Sequence, residues 1–169
     1  SLVPIITFGQ TEQYLHFDGV DDKVVLEDAS QYIANSEGWT MMGWFRDDQL
    51  AYGQGMLSFR GGDSESYLIQ LNDGSIECRY INDDGFFEFV APNFTTVPEE
   101  WQHFAWVFDG SKVTLFLDGE EVGATAASGS FGASDVDLTI GDSPIECCDF
   151  YYRGGIDEVM VWSKSLSGS

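Results

Sequence analysis

The feature that most constrains the fold of this chain is a recurrence. Short runs rich in β-branched and aromatic residues follow one another, and most are closed by a turn signal. The runs are "KVVLED" (23–28), "GMLSFR" (55–60), "SYLIQLN" (66–72), "SIECRYIN" (75–82), "FFEFVAP" (86–92), "WQHFAWVFDG" (101–110), "KVTLFLDG" (112–119), "VDLTIGD" (136–142) and "GIDEVMVW" (155–162). Between them stand "NDGS" (72–75), "NDDG" (82–85), "FDGSK" (108–112) and "LDGE" (117–120). Asp-Gly supplies the positive φ that tight hairpin turns require. No segment carries a long helical period; only 28–38, "DASQYIANSEG", can hold a short helical turn. Many short alternating strands with regular turns predict an all-β, two-sheet antiparallel sandwich. The "ASGSFGAS" stretch (127–134) reads as a surface loop, because strands resume after it.

The 169 residues fit a single domain, 1–169, and an aromatic content of 15% suffices to fill the gap between two sheets. Trp44, Trp106 and Trp162 lie inside strand runs and read as core; Trp39 and Trp101 lie at strand starts, where partial exposure is expected. The charge excludes some partners. With 29 acidic residues against 7 basic ones, the chain lacks the basic surface that nucleic acid demands, and an anionic membrane would repel it. Nothing predicts membrane insertion. Cations and neutral or basic ligands fit the field, and the acidic surface also suits a saline habitat. Cys78, Cys147 and Cys148 form no CxxC pair, so a zinc ribbon is not supported. One bridge from Cys78 to either neighbour, or three free thiols, remain open.

"YLHFDGVDD" (14–22) puts Asp18, Asp21 and Asp22 into one turn. Turn chemistry, solubility and a bound cation all account for such crowding.

Five stretches, in order, resemble the concanavalin A-like jelly rolls, in particular laminin-G-like and pentraxin-like domains. They are "YLHFDGVDDKVVL", "WTMMGWFRDD", "EEWQHFAWVFDGSKVTLFLDGEEV", "LTIGDS" and "RGGIDEVMVWSKSLS", and together they span roughly residues 12 to 167. The resemblance implies two curved antiparallel sheets with the first and last strands side by side. It implies a structural calcium at that seam, with Asp18, Asp22 and Asp157 as ligands, and admits a second calcium in the rim loops. Calcium favours several hard oxygen ligands from flexible loops, which an Asp-rich turn offers. It also implies a module of a larger extracellular, secreted or cell-surface protein, such as an adhesin.

Catalysis is not expected. Glycosidases of this superfamily carry alternating carboxylates on one strand face, whereas Asp135 and Asp137 have no third acid and Asp157 and Glu158 are adjacent, hence on opposite faces. His16 and His103 complete no Ser-His-Asp set, and the resemblance places His103 at a packing position beside a core tryptophan. The resemblance implies recognition of carbohydrate or of an extracellular protein or peptide instead. The ligand-binding candidates are Asp83 and Asp84 in "INDDGFF", and Asp142, Glu146, Asp149, Tyr151, Tyr152 and Arg153 in "GDSPIECCDFYYRGG" (141–155). Rings against sugar faces and carboxylates to hydroxyls are the physics of a sugar site. Tyr151 and Tyr152 are neighbours in an extended stretch, so one of them must face outward. The alternative is a calcium-stiffened structural module with no ligand site.

Overall fold

The computed structural model describes residues 13–60, 65–71, 73–91, 95–131, 135–144 and 150–167. Within them run twelve strands: β1 (Leu15–Asp18), β2 (Val24–Leu26), β3 (Trp39–Asp47), β4 (Gln54–Phe59), β5 (Glu65–Gln70), β6 (Ile76–Asn82), β7 (Gly85–Val90), β8 (Trp101–Phe108), β9 (Lys112–Leu117), β10 (Glu120–Ala126), β11 (Leu138–Ile140) and β12 (Arg153–Trp162). They form two six-stranded sheets, in the orders β1-β12-β3-β8-β9-β10 and β2-β11-β4-β5-β6-β7. Every neighbouring pair is antiparallel. The two-sheet antiparallel sandwich expected from the strand pattern is therefore the fold, in agreement with the jelly roll that the resemblance implied. The 28–38 stretch holds a single 3₁₀ turn, Ala29–Tyr32. Among the described residues, no helix is long and apolar enough to cross a membrane.

Turn chemistry works as the sequence demands. Between β9 and β10, Asp118 and Gly119 take φ of 50° and 84°, the doubly left-handed turn whose twist matches its flanking strands. Asp118 Oδ1 also accepts the His103 amide at 2.8 Å, tying this hairpin to β8. β10 itself, "EEVGATA", was not among the runs predicted as strands; it is an edge strand placed by its pairing with β9.

The core lies between the sheets. β3 and β8 send in Trp39, Met41, Phe45, Phe104, Trp106 and Phe108, which meet Phe59, Leu68, Ile76 and Tyr80 of the other sheet. Trp39 sits at its centre, with ring centroids 5.2 Å from Trp106 and 5.4 Å from Tyr80, both edge-on. Such pairs add about 0.5–1.5 kcal/mol to the burial of their area. Phe131 also enters this core, although the sequence places it in a surface loop. Two tryptophan expectations are corrected. Trp39 is fully buried, while Trp44 and Trp162 remain 37% and 41% exposed. Alternation is the reason: Phe45 and Val161 take the inward positions, so their neighbours must face out. Trp44 stands edge-on to His103 at 5.2 Å on that outer face. Cys78 is a free, buried thiol; Cys147 and Cys148 lie outside the described residues.

β1 and β12 lie side by side, as the resemblance implied, with Leu15 opposite Ile156 and Asp18 opposite Arg153. This register corrects the expected partner of Asp18. Asp157 lies four residues along β12 from Arg153, about 13 Å at a strand rise of about 3.3 Å per residue. It pairs instead with Trp44, beside an irregularity between Asp157 and Met160, and its carboxylate accepts the Glu158 amide at 2.8 Å.

Candidate functional site

One end of the sandwich gathers the end of β1, the end of β3 and the starts of β4 and β12. Polar side chains lock the loops there. Asp47 is buried; its Oδ1 accepts the Gln49 amide at 2.9 Å and its Oδ2 the Thr96 hydroxyl at 3.1 Å. Its carbonyl accepts the Glu99 amide. The 48–53 loop thus leaves β3 in a fixed direction. Buried Gln54 then joins this loop to β12: its amide nitrogen donates to the Gln49 carbonyl and its Oε1 accepts the Arg153 amide at 2.9 Å. The Arg153 guanidinium donates to Gln49 Oε1 at 3.0 Å.

Phe150 and Tyr151 form the other wall. Gly55 N donates to the Phe150 carbonyl at 2.6 Å. The Phe150 ring rests on Gly53, where a Cβ would lie 2.5 Å from a ring carbon. Tyr151 is half-buried and Tyr152 fully buried. The outward and inward alternation expected of the pair therefore holds, and it removes Tyr152 from the surface. Tyr152 packs edge-on against Phe17 in the core, with centroids 6.3 Å apart.

The result is a pocket of about 420 Å³ lined by Asp18, Gly19, Val20, the 49–54 loop, Phe150, Tyr151 and Arg153. Tyr52 projects beside it, 72% exposed. A more polar pocket of about 630 Å³ adjoins it and shares Asp18 and Arg153. There Arg46 makes a two-point ion pair with Asp48, at 2.9 and 3.2 Å, and stacks over Tyr14 and Trp101. The Asp48 pair holds the guanidinium above even its usual high range.

Asp18, Asp21 and Asp22, all exposed, each offer one carboxylate oxygen within 4.8 Å of the others. The turn itself engages some of their oxygens: Asp18 Oδ1 accepts the Val20 amide at 2.8 Å and Asp22 Oδ2 the Asp18 amide at 3.1 Å. Three hard carboxylates at this spacing suit a calcium ion better than any soft metal. The candidate set is then Asp18, Asp21 and Asp22, with Asp21 in place of Asp157.

The sequence-derived ligand candidates fall into three groups. Tyr151 and Arg153 line the pocket. Asp142 lies behind it, fully buried and paired with Lys23 at 3.0 Å. Asp83 and Asp84 are exposed in the turn between β6 and β7. That turn lies at the opposite end of the sandwich, since Ile76 at the other end of β6 pairs through Gln70 with Gln54. Glu146 and Asp149 lie outside the described residues. Gln49, Tyr52 and Gln54 were not anticipated. Tyr52 in "AYGQG" carried one weak signal, a large ring flanked by small residues in a stretch without alternation.

A sequence model of the concanavalin A-like lectin/glucanases superfamily, of the laminin-G type, matches residues 18–169. No curated protein matches the chain. Among solved structures, Ruminococcus gnavus IT-sialidase CBM40 bound to α2,3 sialyllactose superposes with a TM-score of 0.66 at 19% identity, over 90% of this chain and 94% of that one. Domain 4 of AbnA, an extracellular arabinanase from Geobacillus stearothermophilus in complex with arabinotriose, gives 0.66 at 16%, over 92% and 77%. Domains LG4-5 of the mouse laminin α1 chain give 0.60 at 13%, over 91% and 44%. At these identities the likeness is one of fold.

Proposed function

The chain belongs to the concanavalin A-like lectin/glucanases superfamily, and from that premise we propose that it is a non-catalytic, extracellular module that recognises carbohydrate at the pocket between Asp18, Tyr52 and Arg153. The observation that carries this reading is the exposed Tyr52 ring beside Phe150 and Tyr151, with a guanidinium and a side-chain amide at one rim. Sugar rings stack on such aromatic faces, and their hydroxyls need both donors and acceptors. Two neighbours of this fold carry sialyllactose and arabinotriose, which supports the same use here. A net charge of -22 repels polyanionic glycans, so the ligand class is a neutral glycan or one bridged by a cation.

Calcium at Asp18, Asp21 and Asp22 is part of the proposal. Those residues would hold the ion, and Asp18 would bring its charge to the pocket wall. A calcium that only stiffens the β1 seam, in a structural module of an adhesin, is the second reading. It draws support from the shortness of β1, which pairs with β12 over Leu15 to Asp18.

A glycan array probed with calcium and then with chelator separates the two. Capture by the wild type, lost in Tyr52→Ala and retained in Asp83→Ala/Asp84→Ala, is the expected result. Capture that survives Tyr52→Ala, or no capture at all, would overturn the pocket assignment.

A further inference from the structure

Behind the aromatic wall sits an ion pair that the pocket itself does not explain. Asp142 is 0% exposed, and both of its carboxylate oxygens are engaged. Oδ1 accepts the Phe150 amide at 2.8 Å, across the connection whose ends are tied by the Tyr152 amide and the Gly141 carbonyl. Oδ2 accepts the Lys23 ammonium at 3.0 Å, from a residue 119 positions away in sequence. The same ammonium lies 5.3 Å from the centroid of the Tyr151 ring, within cation–π range. Neither Lys23 nor Asp142 lines the pocket.

Only the carboxylate of this pair is buried, the Lys23 side chain being 32% exposed, and an ion pair with one end in water adds little net stability once the desolvation of the buried end is counted. What it supplies here is placement. Asp142 pins the backbone where Phe150 begins, and Lys23 spans from that carboxylate to the face of Tyr151. With Tyr152 locked in the core, Tyr151 must point outward, but alternation alone does not fix its ring. Lys23 does.

We propose that Lys23 and Asp142 are positioning residues that set where the Phe150 and Tyr151 rings stand, and thereby which sugar faces the pocket accepts. The proposal rests on the reading of the pocket as a carbohydrate site. A ring displaced by about 1 Å loses a stacked ligand just as a misplaced catalytic group loses rate.

The test separates placement from stability. Lys23→Met alone leaves a buried carboxylate without its cation, so its melting temperature should fall. Lys23→Met/Asp142→Asn removes both charges, and the asparagine oxygen still accepts the Phe150 amide, so most of the melting temperature should return. Tyr151 is followed without ligand by ¹⁹F NMR of 3-fluorotyrosine-labelled protein, its resonance assigned with Tyr151→Phe. The proposal predicts that this resonance is shifted or broadened in the double variant despite the recovered stability. It also predicts arabinotriose binding about tenfold weaker, equivalent to about 1.4 kcal/mol. A wild-type Tyr151 resonance in the stable double variant would overturn the positioning role and leave the pocket reading intact. A shifted resonance with no binding of arabinotriose by the wild type would uphold the positioning role and count against the pocket as a site for this neutral sugar.

Discussion

Replacing Gly53 by alanine probes how the aromatic wall is seated, and Gly141→Ala provides its internal control. Both glycines hold left-handed backbone, with φ of 74° and 83°. An alanine there costs about 1–2 kcal/mol whatever surrounds it. The surroundings then decide the rest. At Gly141 the new methyl would lie 2.2 Å from Phe17, a core ring 2% exposed that has nowhere to go. Overpacking of that kind adds about 1–3 kcal/mol. At Gly53 the methyl would lie 2.5 Å from the Phe150 ring, which borders the open pocket and can swing into it. Gly141→Ala should therefore cost about 2–5 kcal/mol and Gly53→Ala about 1–2 kcal/mol. In a domain of this size each kcal/mol lowers the melting temperature by about 2–4 °C. Thermal unfolding followed by circular dichroism reads both. Gly53→Ala should lose glycan capture while keeping most of its stability, because the displaced ring occupies the ligand's place. Equal destabilisation by the two substitutions would mean that Phe150 is as confined as Phe17, and the account of the wall would be wrong.

Further outcomes follow from the same geometry. Millimolar calcium should raise the melting temperature by linkage, about 2.7 kcal/mol at a hundredfold excess over the dissociation constant. The rise should vanish in Asp21→Ala and Asp22→Ala and persist in Asp157→Ala; loss in Asp157→Ala would restore the seam arrangement that the β1–β12 register contradicts. Burial pushes the Cys78 thiol and the Tyr152 hydroxyl well above their usual ranges. Both groups stay neutral in the fold and ionise more readily once unfolded, so their contribution is complete below about pH 8.5 for the thiol and about pH 10 for the phenol, and falls as pH rises through those values. Urea unfolding at pH 7, 9 and 10.5 should show declining stability, and Cys78→Val should flatten the first step; an unchanged profile would mean that the thiol is not desolvated. Trp39→Ala should cost about 3–5 kcal/mol by the cavity it leaves, read as an earlier urea midpoint at unchanged slope; a loss below about 1 kcal/mol would remove Trp39 from the centre of the core.

Local chemistry was legible in the sequence, and long-range consequences were not. The Asp118–Gly119 turn could be read because a positive φ is a property of two residues. β10 could not, because "EEVGATA" has little strand propensity and owes its conformation to β9. Alternation put Trp44 and Phe45 on opposite faces without saying which face was the core. Asp157 was assigned to the wrong neighbour because register depends on where β1 meets β12, and a few residues of offset move a side chain by several ångströms. Asp142 looked like a surface ligand among other acids. It is instead buried and paired with Lys23, which the sequence separates from it by 119 positions. Tyr52 escaped notice because a loop aromatic has no periodic signal; only the meeting of four element ends makes it a pocket residue.

Recognition of glycan at the Asp18–Tyr52–Arg153 end of the sandwich is tested by titrating ¹⁵N-labelled protein with the best glycan from the array. Amide shifts concentrated at Gln49, Tyr52, Tyr151 and Arg153, and absent from Asp83 and Asp84, are the predicted result. Shifts centred on the β6–β7 turn, or none at saturating glycan, would contradict it.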